Sequence, residues 1–164
     1  MLSAFERGFL ARFLFFFFIP FAVIHLVDAS FLNAAVASVE QVLLSFLGYD
    51  VVAAGPDLLV DGTPFRIVVD CTGLVLVLLL FALLFSTPLK NSVRVRAIIV
   101  FTPFLLFFNA LRLLLTLSVG AVLGQAVLEV VHVLLWFVDS AVVFFIWMQV
   151  AGVRCGLCVA GMKL

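Results

Sequence analysis

Four long apolar runs dominate this chain, and they cannot be folded away inside a water-soluble domain. They lie at about residues 9–27, 73–89, 97–120 and 126–150, each near the roughly 17 to 25 residues that carry a helix across a bilayer core. Of the 164 residues, 67% are hydrophobic and 11% are charged, with 20 phenylalanines. A soluble domain of this size cannot hide so much apolar surface, because much of a folded exterior must stay polar. The chain is therefore an integral membrane protein. The first run also has features of a signal peptide, with small residues at "AVAS" downstream, but its length favours a retained span. The formal net charge is zero, and no basic run interleaved with aromatics points to nucleic acid.

The segment "DASFLNAAVASVEQVLLSFLG" (28–48), with an interfacial helix expected at 29–48, is ambiguous. Leu32, Val36, Val39, Leu43 and Phe46 recur at helical spacing, while Asn33, Glu40, Gln41 and Ser45 lie mostly off that stripe. The pattern predicts a helix at the membrane surface or capping the bundle, with a fifth span as the alternative. Charge decides between them. If the segment does not cross, Arg7, Arg12, Lys90, Arg94, Arg96, Arg154 and Lys163, seven of nine basic residues, fall on one side. If it crosses, the "KNSVRVR" loop lands outside, against the positive-inside rule. The expected topology has cytoplasmic termini, with 28–70 and the "VGAVLGQ" turn outside. Within 49–70, "YDVVAAG", "DLLV" and "FRIVV" read as short strands joined by "GPD" and "DGTP", which carry turn chemistry. The expected fold is one all-α membrane domain. It is a four-transmembrane-helix bundle with an amphipathic surface helix and a small extracytoplasmic β-hairpin or meander.

Ionisable groups inside a membrane are costly and usually functional. Cys71 precedes Lys90 by 19 residues, Arg112 follows Arg96 by 16, and His132 precedes Arg154 by 22. At a rise of 1.5 Å per residue these are about 28, 24 and 33 Å, against a hydrocarbon core of about 30 Å. Three separate helices thus place a thiol, a guanidinium and an imidazole at nearly one level, near the outer face. Asn109, Arg112 and Thr116 share one face, as do Gln125, Glu129, His132, Trp136 and Asp139 on the last span. Taken singly, Cys71 reads as a small buried hydrophobe, Arg112 as a snorkelling side chain and His132 as an interfacial histidine. Together they suit thiol catalysis. A cation or imidazole makes thiolate available, histidine can protonate a leaving amine, and arginine can hold an oxyanion. Glu129 and Asp139 are expected to support the site, and so is Asn109. His25 reads as structural, though close enough to join it. Gly73 is expected to leave room for close approach to Cys71.

"DCTGLVLVLLL" after a hairpin, a basic loop, "FFNALRLLLTL" and "EVVHVLLWF" occur here in an order, spacing and topology that resemble the exosortase and archaeosortase family. These are membrane-embedded cysteine transpeptidases, and the resemblance covers about 47–148. It implies that Cys71 is the nucleophile, that Arg112, in its Asn-x-x-Arg setting with Asn109, is the catalytic arginine, and that His132 is the third catalytic position. It also implies a substrate class: exported proteins with a C-terminal sorting tail made of a short motif, a membrane span and a basic end. The enzyme would cut near the motif and pass the new carboxyl end to an acceptor. Two features depart from the family pattern. Thr72 follows the cysteine where serine or alanine is usual, and the chain has about half the spans of many members. The second leaves room for a partner membrane protein in substrate recognition.

Two other classes compete. "RCGLC" holds a C-x-x-C, Cys155 and Cys158, which would suit a thiol oxidoreductase or half of a metal site. By the charge argument it lies opposite Cys71, so the two could not exchange disulfides. A non-catalytic assembly subunit is the other reading. Two histidines and no H-E-x-x-H argue against a metal protease, and the residues call for no metal or other cofactor. The topology is testable by labelling Asp57→Cys in intact cells, in a chain whose own cysteines are replaced. An impermeant thiol reagent should label it without lysis. Labelling only after lysis would overturn the outside placement.

Overall fold

The computed structural model describes residues 4–152. Arg154, Cys155, Cys158 and Lys163 lie outside the described residues. The order is α1 (Ala4–Leu26), α2 (Ser30–Phe46), β1 (Val51–Ala54), β2 (Asp57–Val60) and β3 (Thr63–Arg66). A 3-10 turn at Val69–Thr72 leads into α3 (Leu74–Ser86), α4 (Asn91–Leu123) and α5 (Gln125–Ala151).

Helices α1, α4 and α5 are long and apolar enough to cross a membrane. The run at 73–89, expected to be a full span, forms helix over only 13 residues, or about 20 Å. Pro88 is the reason at one end, since the residue before proline is driven out of the helical region. Thr87 accordingly adopts φ −86° and ψ 141°. Gly73, at φ 79°, sets the other end. The fourth crossing is thus not established by helix length. Helix α3 nevertheless lies at the centre, packed on α1, α4 and α5. A helix that is apolar all round has no face to give to water.

Two apolar cores result. One joins Leu76, Leu80, Leu83 and Leu84 of α3 to Leu105 of α4 and Val143 of α5. Phenylalanines of α1 close it from outside, with Phe16 5.7 Å from Phe85 and 6.0 Å from Phe81, ring centre to ring centre. At that end Arg94 reaches back to the Leu84 and Thr87 carbonyls at 3.2 and 2.9 Å. It thereby satisfies acceptors that the end of α3 leaves open. The second core joins Ala37 and Leu44 of α2, Leu58 and Val60 of β2, Ile67, and Leu117 of α4.

The expected hairpin is a three-stranded antiparallel meander, β1-β2-β3. Asp61 and Gly62, at φ 47° and 80°, form the β2–β3 turn, and two successive positive φ values are what a type I′ hairpin requires. Its inner face (Val51, Leu58, Val60, Phe65) lies on the second core.

Helix α2 is present as expected, and it buries a face other than its apolar stripe. Its buried residues are Ala37, Glu40 and Leu44, whereas Val39 and Phe46 of the expected apolar stripe are 52% and 90% exposed. The helix turns a partly polar face inward, where Gln41 donates to the Val51 carbonyl at 3.2 Å. Glu40 is fully buried, and neither carboxylate oxygen has a hydrogen-bond partner. Burial raises its pKa from the ordinary 4.5 to about 8. The folded chain therefore holds this proton more tightly than the unfolded one. The stability this proton confers is full below about pH 4.5 and is lost as pH rises towards 8, by up to about 1.4 kcal/mol per pH unit. Glu40→Gln should flatten that dependence. Thermal melts at pH 5 and pH 8 should differ less for the variant than for the wild type, and equal differences would show that Glu40 is not buried neutral.

Candidate active site

Between the two apolar cores lies a polar layer. On α4 it is Asn109, Arg112 and Thr116, all buried, as the i, i+3, i+7 spacing predicts. Across from them on α5 is Asp139, 1% exposed. Arg112 Nη1 donates to Asp139 Oδ2 at 2.6 Å, and its guanidinium carbon lies 5.6 Å from the centre of the Trp136 ring. A charge held in an apolar bundle must be paired, because removing it from water is otherwise too costly. Snorkelling is therefore not what Arg112 does: at 4% exposure it is locked inside. Its Nε and Nη2 have no hydrogen-bond partner, nor has Asp139 Oδ1.

Cys71 sits in the 3-10 turn that joins the sheet to α3. Asn109 Nδ2 donates to its carbonyl at 2.7 Å, tying the turn to α4. Gly73 permits that tie. A Cβ there would lie 3.1 Å from the Asn109 Cβ and Cγ, and its φ of 79° disfavours any other residue. The glycine thus makes room for the asparagine that holds the cysteine rather than for approach to the thiol. Burial pushes the Cys71 thiol above its ordinary range. A backbone interaction with Val68 and the Arg112 charge act against that rise, and the Asp70 carboxylate adds to it.

Cys71 and His132 line one cavity of about 210 Å³, with Thr116 below, Gln125 and Leu128 of α5 on one side and β3 on the other. Arg112 does not line it but lies behind. The Trp136 indole donates from Nε1 to His132 Nε2 at 3.2 Å, so a neutral His132 carries its proton on Nδ1. Of the three residues that the sequence assigns to one level, Cys71 and His132 thus meet at one cavity, and Arg112 is not part of its wall. Glu129 stands apart: it is exposed and outside the cavity wall, where its neighbour Leu128 takes the inward place.

Sequence reading left His25 as structural. Its ring places Nε2 3.0 Å from Asp70 Oδ1 and Nδ1 2.8 Å from the Phe21 carbonyl. The contact links α1 to the residue before Cys71. The available signal was a lone histidine at the outer end of the first span, level with an aspartate. No group of three or more His, Cys, Asp or Glu suited to a metal occurs among the described residues.

The family model for transmembrane exosortases (Exosortase_EpsH) matches residues 3–152. The chain belongs to the transmembrane exosortase family. No curated protein and no solved structure matches it. An exosortase-type function in a membrane follows at the level of the family.

The Arg112–Asp139 pair can be separated from the chemistry around it. Arg112→Ala or Asp139→Ala should each destabilise the protein by about 3–5 kcal/mol, because the partner is left charged and buried. Arg112→Met combined with Asp139→Leu should recover most of that loss in thermal unfolding. No recovery in the double variant would mean that the pair is not the contact that holds α4 to α5.

Proposed function

We propose that this exosortase-family protein is a membrane cysteine transpeptidase with Cys71, Arg112 and His132 as its catalytic residues. Its substrates would be exported proteins with a C-terminal sorting tail. The observation that carries the reading is the cavity shared by Cys71 and His132, backed by an arginine with two unpartnered buried donors.

The Cys71 thiolate attacks the scissile carbonyl, and a tetrahedral oxyanion forms. A peptide carbonyl is a poor electrophile, so the thiol must ionise first, and the Arg112 charge favours that. Arg112 acts on the oxyanion through its positive charge from behind the cavity wall, and Asp139 holds the guanidinium at Nη1. His132 takes the Cys71 thiol proton on Nε2, giving up the bond from Trp136, and the resulting imidazolium passes that proton to the leaving amide nitrogen, which departs with the membrane tail. The acyl group is left on Cys71 as a thioester, and an acceptor amine, hydroxyl or water resolves it. In this reading the termini are cytoplasmic, the site opens to the outside of the cell membrane, and a partner membrane protein contributes to substrate recognition.

The thioester is the distinguishing intermediate. Mass spectrometry of the wild-type protein co-expressed with candidate exported proteins should find a substrate fragment on Cys71 that hydroxylamine releases. Cys71→Ala should abolish cleavage, and His132→Ala should slow it by about 10²–10⁴-fold. Cys155→Ser with Cys158→Ser should leave it intact. If candidate substrates keep their C-terminal spans equally in wild-type and Cys71→Ala cells, the transpeptidase reading fails and an assembly subunit replaces it.

A further inference from the structure

β3 is the last strand of its sheet, and its Pro64, Phe65 and Arg66, with Ile67 after them, line the cavity that holds Cys71. The ladder fixes which main-chain groups point to its free side. The Ile67 N–H donates to the Pro56 carbonyl at 2.8 Å, and Phe65 and Thr63 stand opposite Leu58 and Val60. Alternate residues of an antiparallel strand turn their polar groups to opposite sides. Thr63, Phe65 and Ile67 therefore serve β2, while Pro64 and Arg66 face away. Pro64 has no N–H to leave unpaired, which is why proline is tolerated on an edge. The free side presents the Pro64 carbonyl and both the N–H and C=O of Arg66. Such a row is a template for another strand.

We propose that an extended segment of the substrate polypeptide docks here as a fourth strand beside β3. Its main chain bonds to Arg66 and to the Pro64 carbonyl, and its scissile carbonyl is delivered to Cys71. The proposal rests on the transpeptidase reading for the identity of its occupant. Three observations select a peptide. The groups on offer are main-chain donors and acceptors, which another main chain matches most completely. Residues 64–67 line the same cavity as Cys71 and His132, so the edge leads directly to the thiol. The cavity, at about 210 Å³, is smaller than the roughly 300–1,000 Å³ that encloses a drug-sized ligand, and it suits a strip of chain running past.

The pairing also sets a side-chain preference. Positions level with Phe65 would face inward, toward Leu113 and Leu117 of α4, and call for small or apolar groups. A position level with Arg66 would face outward beside the one fixed charge in the cavity lining. A carboxylate is favoured there over an ammonium group. Arg66 is free to exchange partners, because its contact with Asp57, at 3.7 Å, is exposed on both sides and such pairs contribute little.

Disulfide tethering tests the dock without requiring cleavage. The full chain with Cys155→Ser and Cys158→Ser, held in lipid nanodiscs, is equilibrated with a library of random hexapeptides. Each peptide carries one cysteine as a mixed disulfide with cysteamine. Those captured on Cys71 are identified by mass. For the best of them, single backbone N-methylations are made along the peptide. Strand pairing predicts that capture falls about tenfold or more at alternate residues and changes little at those between. Acidic residues should be enriched at the position level with Arg66. An N-methyl profile without the period of two, or no capture above a cysteamine control, overturns the proposal. Neither outcome bears on the thioester, which is measured separately.

Discussion

The contact on which the structure depends is the 2.6 Å pair between Arg112 and Asp139. Both residues lie inside helices that are otherwise apolar, and neither charge is tolerable there alone. Their pairing fixes the rotation of α4 against α5, because both side chains must point into the same seam. With α4 so turned, Asn109, one turn before Arg112, faces the Cys71 carbonyl, and Thr116, one turn after, floors the cavity. The bond that stabilises the layer is also incomplete. It uses one side of the guanidinium and leaves Nε and Nη2 without a partner.

The cysteine is held by three separate constraints at once. The sheet delivers it, Asn109 fixes its carbonyl, and Gly73 both turns the chain into α3 and leaves the space that Asn109 fills. Its thiol sits in opposing fields. Burial and Asp70 raise its pKa, and Arg112 lowers it. The His25–Asp70 contact adds α1 to the elements that bear on this turn.

The sheet and α2 form a cap that packs on α4. A three-stranded sheet alone would be marginal, but its inner face is closed by α2 and by Leu117 of α4. Its β1 edge lies beside α2, which takes the Val51 carbonyl through Gln41. Its β3 edge borders the cavity. The asymmetry follows from where α2 packs, and it leaves the strand nearest the cysteine as the one still able to pair.

Much of this was legible in the sequence, for one reason. Depth along a helix is a matter of counting, and a fixed rise per residue is enough to group Cys71, Arg112 and His132, of which Cys71 and His132 share a cavity. Local chemistry was equally readable in the Asp61–Gly62 turn and in the shared face of Asn109, Arg112 and Thr116. Rotation about a helix axis and the partner across a seam are not local, and there the sequence alone misled or stayed silent. The apolar stripe of α2 was legible, but not that the sheet and α4 would take the face with Glu40 and leave Val39 and Phe46 exposed. Glu129 was counted with His132, but Leu128 won the inward position. Nothing local could show that Asp139 would meet Arg112, or that His25 would reach Asp70 across 45 residues. The sequence by itself determined the order and type of the elements, because these depend on composition, periodicity and turn chemistry. The tertiary structure decided which faces meet, because that depends on how apolar surfaces and a single buried charge pair can be satisfied together.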